Sequence, residues 1–241
     1  PPRSTLFPYT TLFRSFLLKI LTLAIFFIKL NYIFLKITRR RYRMSDQNQT
    51  PYSNPFSYGV LGLAVACFAL APVLTGYVDT GKPGFIPWAV FYGGLAQVIA
   101  GLIDLRNKNI LGGTVLGLYG LLWFSLGVEF LIAGSEGWAI SKVIGGNVDI
   151  MLCLMSLGFT VAFATTNLAT FMILVLIDFA FAGLALSKLG VLTGEWVHPV
   201  LGIDVYIIGL LSAYAAIASL LNAHFGKKML PLGPALIKLK K

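Results

Sequence analysis

The chain has 241 residues, of which 57% are hydrophobic and 12% charged, with a mean hydropathy of +0.83. A soluble domain is roughly half apolar and a quarter charged, so this composition excludes an ordinary globular enzyme, a disordered chain and a nucleic-acid binder. The formal charge of +10 invites a polybasic reading, but it is unevenly placed.

Residues 1–43 hold Arg3, Arg14, Lys19, Lys29, Lys36, Arg39, Arg40, Arg41 and Arg43, with no acidic residue, glycine or valine. All 25 glycines follow Met44, and residues 44–241 carry ten basic and nine acidic residues. Thr5–Ser15, TLFPYTTLFRS, resembles the translation of a sequencing-adapter oligonucleotide. The stretch after it, FLLKILTLAIFFIKLNYIFLKI, uses almost only residues that AT-rich non-coding DNA yields. As a membrane helix it would carry Lys19, Lys29 and Lys36, and a charge at mid-bilayer costs roughly 2.5–3.5 kcal/mol. No small-residue cleavage site follows it. The expectation is that 1–43 is a translation artefact and that the native protein starts at Met44.

A bilayer core of about 30 Å needs roughly 20 apolar residues in a helix. Six such runs are predicted, at about 58–74, 84–104, 113–133, 148–166, 168–187 and 202–222. The expected architecture is all-α and polytopic, with a tail at 44–57, a transmembrane domain at 58–223 and a basic tail at 224–241. Thr165-Thr166-Asn167 predicts a tight antiparallel hairpin between the fourth and fifth helices.

Six spans put both termini on one side. That side takes Arg106, Lys108, Lys227, Lys228, Lys238, Lys240 and Lys241, and the other takes Lys82, Lys142 and Lys188. The positive-inside rule then makes both termini cytoplasmic. Gly113-x-x-x-Gly117 fits a close-approach helix contact.

Ionisable groups at membrane depth are costly and so are candidates for function. Three are singled out. Asp104, beside Arg106 and Lys108, reads as a solvated or paired interfacial carboxylate. Glu129, in the last turn of its span, reads equally as an interfacial residue or a vestibule charge. Asp178 is central in the fifth span, where a carboxylate must be neutralised by a proton or by a partner across a helix interface. It is the candidate for proton exchange. Gln97, in mid-span 2, can bond a neighbouring helix or a substrate.

Cys67 and Cys153 form neither a metal set nor a disulfide framework, and no metal site is expected. His198 and His224 are isolated. There is no P-loop and no nucleophile–base motif, so neither an ATP-driven pump nor an enzyme is indicated, and no cofactor is implied. The single Asn54-Pro55-Phe lies before the first helix, which excludes an aquaporin-like pair of half-helices.

Four motifs then agree. Asn54-Pro55-Phe-Ser-Tyr-Gly59 resembles the Asn-Pro-Ala signature of the acetate uptake transporter family, which includes the bacterial succinate–acetate permease. Phe91-Tyr92-Gly93-Gly94-Leu-Ala96-Gln97-x-x-Ala100-Gly101 is similar to its most specific block. Tyr119-Gly120-x-x-Trp123 and Phe225-Gly226-Lys-Lys-x-Leu230-Pro231-x-Gly233 are similar to two more, in order.

The resemblance implies a homo-oligomer, a hexamer, with one substrate pathway in each protomer. It implies small monocarboxylates, chiefly acetate, with succinate handled by some members. It also implies a hydrophobic constriction, which in motif register falls on Leu63, Tyr119 and Ile177. Leu63 stands where the family carries an aromatic residue, and Asp178 belongs to no family signature.

The resulting expectation is a plasma-membrane carrier of acetate and related monocarboxylates, coupled to protons. Its partners would be the carboxylate, the proton, the lipid bilayer and copies of itself, with no nucleic acid. The alternative is a non-transporting acetate sensor or assembly factor on the same scaffold.

Overall fold

The computed structural model describes residues 52–78, 84–133 and 141–238. The reading of 1–43 as foreign sequence lies outside those residues, as do Lys82, Lys240 and Lys241. Among the described residues, six helices are each long and apolar enough to cross a membrane, as the hydropathy runs predict. They are α1 (Phe56–Leu74), α2 (Trp88–Arg106), α3 (Ile110–Ala133), α4 (Lys142–Phe163), α5 (Leu168–Lys188) and α6 (Val197–His224). No described residue lies in a strand.

Asn54 and Pro55 launch α1: Asn54 Oδ1 accepts from the Phe56 N–H at 2.9 Å, and the Pro55 carbonyl accepts from Gly59 at 3.1 Å. A proline at a helix start lacks only an N–H that would have no helical partner.

The first half of α2, Trp88–Ala96, is wound as a π-helix, and Gln97–Arg106 continues it as an α-helix. Such wider winding is rare and concentrates at functional positions. Glycines let this segment lie directly on its neighbours. A Cβ at Gly62 would strike the Tyr92 carbonyl oxygen, and one at Gly93 would come within 2.5 Å of the Trp123 ring. A Cβ at Gly94 would meet the Phe124 ring at 3.0 Å, and one at Gly101 the Gly117 nitrogen at 2.5 Å. Gly59 against Ala100 and Gly120 against Val98 repeat the pattern. Most of the motif glycines are therefore close-packing positions.

The strongest packing joins α1 to α6, α4 to α5 and α2 to α3, whereas α3 and α4 scarcely touch. The α4–α5 turn is as tight as expected. Asn167 Oδ1 accepts from the Thr170 N–H at 3.0 Å, and the Thr165 and Thr166 hydroxyls close onto the Ala162 and Phe163 carbonyls.

Two boundaries differ from the prediction by several residues. Residues 142–147 are helical, not loop, because the Ser141 hydroxyl accepts from Ile144 N–H and Asp149 is paired with Lys188. Hydropathy cannot see such partners. Residues 197–201 are helical too, because Pro199 falls in the first turn of α6, where its missing N–H costs nothing.

The tail after α6 folds back across one end of the bundle. Asn222 Oδ1 accepts from Met229 and Leu230 N–H, and the Tyr214 hydroxyl donates to the Pro231 carbonyl at 2.6 Å. Ala169 N–H then donates to the Leu232 carbonyl, while Leu236 and Ile237 N–H donate to the Ala164 carbonyl. Gly226 and Gly233 turn the chain at φ of +63° and +78°, which a side chain would strain. Tyr52 lies at this same end, its carbonyl accepting from Asn107 in the α2–α3 turn.

Candidate functional site

One face of α4 is polar. Asp149, Cys153, Ser156 and Thr160 recur at helical spacing and point to the same side. Ser156 is fully buried, and Asp149 and Thr160 nearly so. Apolar residues cover the opposite side of the helix, where Met151, Leu154, Leu157 and Val161 are exposed as a lipid-facing or partner-facing surface.

Two hydrogen bonds tie this polar face to its neighbours. The Tyr119 hydroxyl, from α3, donates to Ser156 Oγ at 2.8 Å. The Thr160 hydroxyl lies 2.7 Å from Asp178 Oδ2 on α5 and 3.0 Å from the Ser156 carbonyl. A hydroxyl has one proton to give and can also accept. An ionised Asp178 therefore accepts from Thr160. A protonated Asp178 can donate to Thr160, whose own proton turns to the Ser156 carbonyl. Both charge states of Asp178 Oδ2 thus have a partner in one geometry. Asp178 Oδ1 is buried and has no partner among the described residues, and Cys153 Sγ reaches the Asp178 carbonyl at 3.8 Å.

Leu63, Tyr119 and Ile177 are all buried and belong to a single apolar cluster. Tyr119 also makes an edge contact with Phe159 and a tilted contact with Phe181, at ring separations of 5.9 and 6.2 Å. The structure so brings four of the five singled-out pathway residues together, with Asp178 joined through Thr160. Gln97 is fully buried at the junction of the π and α halves of α2, and neither end of its amide has a hydrogen-bond partner among the described residues.

Trp123 is buried in the same apolar cluster and abuts Gly93. Phe225 stacks edge-on with His224 at the end of α6.

Of the two readings of Asp104, the solvated one is corrected: it is 4% exposed, lies against Gly112 and faces inward, with Asn109 as a side-chain hydrogen-bond partner. The sharp α2–α3 turn, in which the Asp104 carbonyl accepts from Asn109, swings it over the start of α3. Two buried carboxylates were missed, Asp149 and Asp204. Asp149 was legible in its spacing from Cys153, Ser156 and Thr160. Asp204 stands alone on its helix, its Oδ2 buried without a partner among the described residues, and no spacing pattern points to it.

The sequence profile described as the GPR1/FUN34/yaaH family matches residues 36–232. The meiotically up-regulated gene 86 protein of Schizosaccharomyces pombe is 37% identical over 82 residues, 33% of this chain, and the match spans 27% of that protein's length. The succinate-acetate/proton symporter SatP of Escherichia coli is 28% identical over 190 residues, covering 76% of this chain and 97% of the symporter. Among solved structures, that of the bacterial acetate channel SatP superposes with a TM-score of 0.70 at 23% identity. It covers 76% of this chain and 99% of its own.

Proposed function

The chain belongs to the GPR1/FUN34/yaaH family and is an integral, multi-pass membrane protein, and on that footing we propose that it carries acetate and related small carboxylates across the membrane. The family and its transporter relatives speak against an enzyme. The observation that carries the reading is alignment over nearly the whole length of a succinate-acetate/proton symporter. Burial of Leu63, Tyr119 and Ile177 around the Tyr119–Ser156 and Thr160–Asp178 bonds supports a route for a weak acid through the centre of the protomer.

Each step has a physical reason. An inside-negative potential of 100 mV opposes inward movement of one anion by about 2.3 kcal/mol. A proton travelling with it makes the step neutral. The apolar cluster favours the protonated acid, because an unpaired carboxylate is costly there. The Tyr119 hydroxyl and the Asp178–Thr160 pair supply polar contacts in place of water, and Asp178 exchanges the proton. Gln97 offers a further unpaired amide.

In this reading the protein is a hexamer in the plasma membrane, with one pathway per protomer and both termini cytoplasmic. The placement of Arg106, Lys108, Lys227, Lys228 and Lys238 at the end shared by Tyr52 and the tail supports that orientation. Cells expressing residues 44–241 are expected to accumulate labelled acetate above empty-vector cells. Binding of acetate without accumulation would instead assign a sensor, and neither would remove both readings.

A further inference from the structure

At the end of the bundle opposite the tail, the ends of four helices surround a cavity of about 260 Å³. A single water needs only ~10–15 Å³ of such space. Glu129 comes from α3, Ser141, Lys142 and Gly145 from the start of α4, Ser187 and Lys188 from the end of α5, and His198 from the first turn of α6. Two lysines and one glutamate thus line it. The start of α4 adds the positive end of its helix dipole.

Lys188 sits between two environments. It lines the cavity, and its Nζ is also 2.9 Å from Oδ2 of Asp149, which does not line it. Asp149 is the nearly buried first member of the polar face that continues through Cys153 and Ser156 to Thr160. The Lys188 stem crosses α4 at Gly145, where a Cβ would lie 3.2 Å from Cδ and 3.3 Å from Nζ. Ser187 Oγ is 3.2 Å from His198 Nε2, which adds a hydroxyl and a ring nitrogen to the same wall. An ammonium has three donors, and Asp149 takes one of them.

We propose that this cavity is a carboxylate-docking site, in which the substrate carboxylate displaces Asp149 from the Lys188 ammonium before it moves inward. Asp149 is then the resident competitor: it neutralises Lys188 while the cavity is empty and takes it back when the substrate leaves. The inference rests on the transport reading for the identity of its ligand.

The two partners then have effects of opposite sign. Uptake of labelled acetate is measured against concentration in cells expressing the full chain, normalised to the amount of protein in the membrane. Lys188→Gln raises KM about tenfold, the value of one charged hydrogen bond. Asp149→Asn lowers KM, because the competitor is gone, and Asp149→Asn with Lys188→Gln matches Lys188→Gln alone. A purely structural ion pair would lower the protein amount or the maximal rate in both single variants and leave KM unchanged, which overturns the proposal. If Lys188→Gln alone does not reach the membrane, the double variant, which leaves no buried charge unpaired, and Asp149→Asn decide by the same signs.

Thermal stabilisation of the purified full chain by acetate separates the two readings. Lys188-dependent stabilisation without uptake keeps the docking site and removes transport. Uptake with unaltered KM in the variants does the reverse. Absence of both removes both.

Discussion

Replacing Gly62 with alanine is expected to remove most of the folded protein from the membrane, whereas the same change at Gly117 leaves it in place. The Cβ added at Gly62 would strike the Tyr92 carbonyl and approach Ala96 Cβ at 3.0 Å, while one at Gly117 would meet nothing within 4 Å. The first collision is with backbone, which cannot swing aside as a side-chain tip can. Inserting a methylene into a packed interior costs about 1–3 kcal/mol, and a backbone clash belongs at the upper end. Against a total stability of about 5–15 kcal/mol, that loss is large. The check is the thermal midpoint and the monodisperse yield of the two variants in detergent. Equal behaviour would mean that α1 and the π segment of α2 do not touch at Gly62.

Asp178→Asn is expected to uncouple acetate uptake from external pH while leaving the protein folded. The amide still accepts from Thr160 and fills the same space, so the packing around the 2.7 Å contact survives. It cannot exchange a proton. An acetate ion that moves alone is held back by about 2.3 kcal/mol at 100 mV, so the accumulation ratio falls by up to roughly fiftyfold. Accumulation of labelled acetate at several external pH values, with the membrane potential clamped by potassium and valinomycin, measures this. A variant with the wild-type profile would reduce Asp178 to a packing residue.

Both predictions depend on features that hydropathy left open. Length and apolarity announced six spans, because a helix that crosses a bilayer has little compositional freedom. The hairpin at Thr165–Asn167 was legible for the same reason, since only polar residues interrupt the run. The polar starts of α4 and α6 were not. Ser141 and Lys142 open a helix that is held by a cap and an ion pair, and His198-Pro199 read as a break while lying in a first turn.

The candidate site divides in the same way. Tyr119 and Asp178 stood out as a motif aromatic and a mid-span charge. Their partners Ser156 and Thr160 are small hydroxyl residues of a kind common in any membrane helix, and only the facing of α4 against α3 and α5 identifies them. Lys188 reads as a loop charge on the side opposite the termini, and nothing near it in the sequence points to Asp149 as its partner. A pair 39 positions apart is joined by the fold, not by any local pattern.

The motif glycines show the converse. Gly93, Gly94, Gly101 and Gly120 were recognisable from two family motifs, yet each explains itself by the atom a side chain would displace. They hold α2 against α1 and α3.

Transport itself is tested most directly with the purified chain in liposomes carrying an inside-alkaline pH gradient. Labelled acetate is expected to accumulate in the vesicles faster than in protein-free liposomes of the same lipid, and to leave when the gradient is collapsed. Accumulation at the protein-free rate, with the protein folded and inserted, would contradict the account.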